Sequence, residues 1–77
     1  MDRVEFRKLI ESIGFILLDG YNHIYKYKEY RINVFKRHYS LKNDSKMLYY
    51  NRLNDLEPID NHFKKELRYI KLKALLK

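Results

Sequence analysis

Cysteine is missing from the chain altogether. That excludes disulfides and thiolate metal sites, and it leaves the sequence compatible with the cytosol. No apolar run is long enough to span a bilayer, and the charged first residues lack the apolar segment of a signal peptide. A soluble cytoplasmic protein with no membrane partner is the expectation. Glycine and proline are scarce, two and one in 77 residues. With no linker, repeat or low-complexity segment either, residues 1–77 read as a single small basic α+β domain, near the lower size limit for an independent core.

Enough apolar material is present to fold it. Leu, Ile, Val and Phe make up 24 of the 77 residues, well above the level expected of a disordered chain. The formal charge of +7 is unevenly distributed. Residues 1–25 carry −1, 26–52 carry +6, 53–62 carry −3 and 63–77 carry +5. Two basic blocks flank an acidic joint, which predicts attraction to polyanions without specifying one.

The organising stretch is Gly20 to Arg37, GYNHIYKYKEYRINVFKR. Alternate residues of a strand point to opposite faces, so the register of a hairpin decides which residues face the core. With Lys28-Glu29 as a two-residue loop, Tyr27 lies opposite Tyr30, Tyr25 opposite Ile32 and His23 opposite Val34, giving an apolar side. Lys26 then faces Arg31 and Ile24 faces Asn33, with Phe35 and Arg37 further along, giving a cationic side. Asp19-Gly20 is a type I′ turn signal. It predicts that Phe15 to Leu18 pair with the hairpin, Leu18 opposite Tyr21 and Ile16 opposite His23, on the apolar side.

Asp2 and Glu5 form the pattern of a capping box, and Phe6, Leu9, Ile10 and Ile13 recur at helical spacing until Gly14, predicting a helix over residues 3–13. After Arg37 the alternation continues through His38 to Leu41, and Lys42 to Ser45 forms a polar turn. Met47 to Asn51 reads as a strand, although Ser45 also suits a helix cap. Pro58 fits the first turn of a last helix, residues 58–76. Ile59, Phe63, Leu67, Ile70 and Ala74 form its core stripe, and Lys64, Arg68 and Lys71 a basic stripe. Tyr69, Leu72 and Leu76 form a second apolar strip. That strip either curls against the sheet or serves as a protein-partner or homodimer interface. The expected fold is an N-terminal helix, a three- to four-stranded antiparallel sheet and a C-terminal helix packed on one face.

Lysine and arginine neutralise phosphates, and aromatic faces stack on unpaired bases. Tyr21, Tyr25, Tyr27 and Tyr30 fall on the core side, so packing is their role. Lys26, Arg31, Phe35, Arg37, Lys64, Arg68 and Lys71 are therefore the nucleic-acid-binding candidates. His23, His38 and His62 show no metal-ligand spacing, and Asp60-Asn61-His62 has only a superficial likeness to nuclease triplets. His62 has Glu66 four residues on, a common surface pairing. No catalytic residue, metal or cofactor is expected.

FRKLIESIGF, DGYNHIYKY and YRINVFK, within residues 4–37, resemble HicA-type mRNA interferase toxins, which are similar to double-stranded-RNA-binding domains in order of helix, strands and helix. In that family a Gly-Ser-His-His or Gly-Gly-His segment opens the second strand, and its first histidine is catalytic. Here Gly20 matches, Tyr21 stands at the small residue, Asn22 at the catalytic histidine, and His23 at the position after it. The resemblance implies the fold and, as a minority function, RNA cleavage. The residues favour a non-catalytic module that binds RNA or an RNA-protein complex. Small size and an Asn/Lys/Ile/Tyr-rich composition also fit a phage or mobile-element inhibitor, anti-CRISPR-like, that docks on a nucleoprotein.

Overall fold

A computed structural model describes residues 2–18 and 23–75, the side chains of Ala74 and Leu75 excepted. The chain is α+β. Helix α1 (Arg3–Ile13) leads into strands β1 (Ile16–Leu17), β2 (Ile24–Tyr27), β3 (Tyr30–Val34), β4 (His38–Asn43) and β5 (Lys46–Arg52), followed by helices α2 (Glu57–His62) and α3 (Lys64–Leu75). The strands form one antiparallel sheet in the order of the chain.

Helix α1 occupies its predicted span because both ends are specified locally. The Asp2 carboxylate accepts from the Glu5 backbone N–H at 2.9 Å, satisfying one of the unpaired donors of a first turn. Gly14 closes the helix at φ 131°, a conformation that a side chain disfavours. A Cβ there would also stand 2.7 Å from Tyr27 Cε1. Phe6, Ile10 and Ile13 are buried as their spacing predicts, while Leu9 is half-buried.

The sheet has five strands where the sequence predicted three to four. The additional strand arises because Lys36-Arg37 is a tight turn that separates β3 from β4, closed by Phe35 N–H donating to the His38 carbonyl at 2.7 Å. Two charged residues carry no turn signature. The β2–β3 register is the predicted one, with Tyr27 opposite Tyr30, Tyr25 opposite Ile32, Lys26 opposite Arg31 and Ile24 opposite Asn33. Its loop is Lys28-Glu29, with Lys28 at φ 53°. The turn into β5 works in the same way, with Asp44 at φ 54°.

The β1 pairing corrects the prediction. Ile16 lies opposite Lys26 and Leu17 opposite Tyr25, so Ile16 faces away from the helices and is 71% exposed. A two-residue turn at Asp19-Gly20 would require a different register. The observed pairing allows a longer connection, whose residues 19–22 lie outside the described part, as does the predicted place of Tyr21.

The C-terminal helix is also corrected, from one to two. Phe63 leaves helical geometry at φ −125°, ψ 35°, between α2 and α3. Its ring is buried and meets Phe15 at 5.3 Å, Tyr30 at 5.1 Å and Tyr27 at 6.1 Å between centroids. Such edge-to-face contacts add to the burial of the rings. Ile59 is buried, and Leu67 and Ile70 pack against the same cluster. Ala74 and Leu76 on the predicted stripes lie outside the described side chains.

All three helices contribute to one side of the sheet. Phe6, Ile10, Ile13, Phe15, Ile59 and Phe63 are buried against Tyr25, Ile32, Val34, Tyr39 and Leu41. Tyrosines at the rim satisfy their hydroxyls: Tyr25 donates to Glu11 Oε1 at 3.3 Å, Tyr27 to Glu66 Oε2 at 3.0 Å and Tyr39 to the Asp55 carbonyl at 2.7 Å. Glu66 thus serves Tyr27, not His62, which lies against Tyr49 at 5.5 Å and Tyr30 at 6.0 Å. No described helix is long and apolar enough to cross a membrane.

Candidate functional site

Because the helices share one side, the opposite side of the sheet is left to the residues at alternate strand positions. Register places them in rows. Lys26 lies opposite Arg31, and Arg31 opposite Lys42. Adjacent strands are about 4.8 Å apart, so three cations stand within about 10 Å. Ile16 ends this row beside Lys26, and Met47 ends it beside Lys42. Arg31, Lys42, Ile24 and Asn33 line a shallow depression, with Asp44 and Ser45 of the β4–β5 turn at its rim.

The next row runs Ile24, Asn33, Ser40 and Tyr50, and beyond it His38 pairs with Arg52. Ser40, between Asn33 and Tyr50, is buried. His38 stacks on Tyr50 with centroids 5.3 Å apart and planes at 11°. Phe35 approaches the same ring at 5.9 Å. Tyr50 is 58% exposed and Phe35 39%. The outer side therefore holds a cationic row next to an aromatic group.

Cross-strand pairs of like charge destabilise a sheet. Here Arg31 has a cation opposite it on both sides. A sheet under selection for stability alone would separate such charges or alternate them with acids, and an anion bound over the row would offset their repulsion.

Lys26, Arg31 and Phe35 are thus brought together on one side, as the sequence predicted. Arg37 lies at the end of the sheet instead, in a cleft with Arg3, Lys36 and Arg52. Lys64, Arg68 and Lys71 are exposed on α3, along a groove floored by Leu9, Leu56 and Leu67, with Asp60 beside them. That groove belongs to the helical layer, so the two predicted basic groups lie on opposite sides of the molecule. Tyr69 and Leu72 are 62% and 54% exposed, so this strip does not curl against the sheet. Leu76 lies outside the described residues.

Sequence reasoning missed Lys42, His38, Tyr50 and Arg52. The irregularity between Leu41 and Lys42 shifts the register against β5, where Leu41 faces Tyr49 and Lys42 faces Met47. A bulge of this kind inverts the phase of the alternation. In the run Leu48-Tyr49-Tyr50 nothing but that phase distinguishes the inward tyrosine from the outward one. Lys42 was readable in principle, since it lies beside the recognised polar turn and opposite Arg31 once β4 is paired with β3.

Electrostatic perturbation is concentrated away from this side. Burial, with Asp55 and Asp60 nearby, raises the Tyr39 pKa well above its ordinary value, and burial beside Glu11 raises that of Tyr25. The pKa of Lys28, whose ammonium lies over the Tyr27 ring at 5.1 Å, is raised chiefly by its interaction with Tyr27. Among the described residues no group of three or more His, Cys, Asp or Glu side chains is placed to hold a metal ion. His23 is half-buried, and its carbonyl accepts from Val34 N–H at 2.7 Å. Gly20, Tyr21 and Asn22, the other positions of the HicA comparison, lie outside the described residues. No family model matches the chain, and no curated protein and no solved structure is significantly similar to it.

Proposed function

We propose that the protein is a non-catalytic RNA-binding module that takes single-stranded RNA on the helix-free side of its sheet. One observation carries this reading: Lys26, Arg31 and Lys42 stand in direct cross-strand register beside the exposed rings of Phe35 and Tyr50, with the half-buried His38 stacked on Tyr50. The cations meet phosphates, whose release of counterions drives binding, and the rings stack on bases that a duplex would keep covered. Sheets that display aromatics in this way suit single strands because unstacked bases can lie flat against them.

Fluorescence anisotropy with labelled single-stranded RNA, hairpin RNA and duplex DNA across a salt series tests the proposal. Single-stranded RNA is expected to bind best, with a log-log salt slope of about −0.7 per phosphate neutralised, hence about −2 for this row. Arg31→Glu should weaken it at least about tenfold, whereas Lys71→Glu on α3 should change it less than about threefold. Equal losses in the two variants, or none in either, would refute the placement. A second reading, docking on a nucleoprotein, is favoured by the exposed Tyr69 and Leu72 on the helical layer. It predicts negligible affinity for naked RNA even at low salt.

A further inference from the structure

At the end of the sheet, where its outer side meets the first turn of α1, lies a second cationic feature that the row does not use. Arg3 from the first turn of α1, Lys36 and Arg37 from the β3–β4 turn, and Arg52 from the end of β5 line one cleft together with Asp2 and Asn54. Packing fixes its walls. Leu53, the residue after Arg52, is buried and donates its backbone N–H to the Arg37 carbonyl at 3.0 Å. Among the described residues Asp2 is the one acid in the lining, and its carboxylate accepts from Glu5 N–H. Four positive side chains from three parts of the chain thus line the cleft beside one negative group, leaving it an excess of positive charge.

The cleft reaches the outer side of the sheet through Arg52. Arg52 is opposite His38, whose ring stacks on Tyr50. The outward positions of β4 then run His38, Ser40, Lys42, from the cleft past the rings to the cationic row. A phosphodiester brings a single negative charge, whereas a phosphate monoester carries about −1.5 to −2 near neutral pH and offers three acceptor oxygens. Guanidinium groups, several of which line this cleft, match that geometry with paired donors. We infer that the cleft seats the terminal phosphate monoester of an RNA strand, with the terminal base against the Tyr50 and His38 rings and the following phosphates along Lys26, Arg31 and Lys42. The inference rests on the RNA reading and adds an end of the strand as the feature recognised.

The test compares one short single-stranded RNA sequence, internally labelled, with a 5′-monophosphate, a 3′-monophosphate or hydroxyls at both ends. One phosphorylated end is expected to bind about tenfold more tightly than the hydroxyl-ended strand at low salt, with the advantage shrinking as salt rises. The arm that gains identifies which end is read. In Arg3→Gln and Arg37→Gln the ratio between phosphorylated and hydroxyl-ended RNA should fall towards one, whatever the absolute affinity. Circular dichroism melts confirm that each variant is folded, and the two substitutions lie in different elements, so a folding defect in one leaves the other to decide. Equal binding of all three RNAs by the native protein overturns the inference and leaves the RNA-binding reading intact. A ratio that survives in both folded variants overturns the assignment of these residues. Absence of binding to every RNA removes both readings.

Discussion

The two sides of the sheet follow different rules. On the inner side every cross-strand position near the centre is apolar or aromatic, and the hydroxyls of Tyr25, Tyr27 and Tyr39 have partners. On the outer side three cations adjoin one another in register, and aromatic rings are left in solvent. The inner side lowers the free energy of the folded chain. On the outer side like charges face one another across strands, an arrangement that opposes stability, and such a conflict between local placement and stability is where function is usually found.

The contrast is sharpened most by a core truncation. Phe63→Ala removes the ring that Phe15, Tyr27 and Tyr30 surround and is expected to cost about 3–5 kcal/mol. Domains of this size have total stabilities starting at about 4–5 kcal/mol, so the cooperative thermal transition should be largely lost. A melt within a few degrees of the native protein would show that the inner side is not the stabilising one.

Gly14→Ala comes next. Its backbone is left-handed and the added methyl would meet the Tyr27 ring. A cost of about 2 kcal/mol follows, seen as a fall in Tm of roughly 10 °C. The outer side predicts the opposite sign. Arg31→Thr removes the central like charge and should stabilise the fold by about 0.5 kcal/mol at low ionic strength while weakening RNA binding, and the gain should vanish in high salt. Destabilisation by this change would break the comparison, because it would mean that the cationic row supports the fold.

A further effect is expected in alkali. Tyr39 is buried and its pKa is raised in the folded state, chiefly by burial and then by Asp55 and Asp60. The fold therefore favours the protonated phenol. Its contribution to stability is complete below the unfolded value of about 10 and is lost as pH rises past it towards the folded value. Tm should hold to about pH 9.5 and then decline. Tyr39→Phe should have a lower Tm at neutral pH, because the Asp55 carbonyl loses its donor, and a shallower alkaline decline.

Much of this was legible wherever a local signal agreed with the long-range pattern. Helix α1 carried its own cap and stop, and the Tyr25, Tyr27, Tyr30, Ile32 set allowed only one register of the central hairpin. Elsewhere the local chemistry was silent. Lys36-Arg37 turns the chain without glycine, asparagine or proline, and Lys28 takes a left-handed conformation that its side chain does not advertise. Helix 58–76 had an unbroken apolar stripe, and nothing local marked Phe63 as the residue that departs from it. At Asp19-Gly20 a strong local signal suggested a register that the sheet does not adopt. The candidate site was half visible: Lys26, Arg31 and Phe35 followed from the hairpin, but Tyr50 and Arg52 depended on a bulge.

The order of the strands bears on how the chain reaches this state. Each strand pairs with its neighbour in sequence, so every ladder closes a short loop, at small entropic cost, and rates of folding rise as such local contacts come to dominate. The packing of α1 against α3 joins segments from opposite ends of the chain. A refolding experiment should therefore show the meander forming early, with the helical lid docking as the slow event.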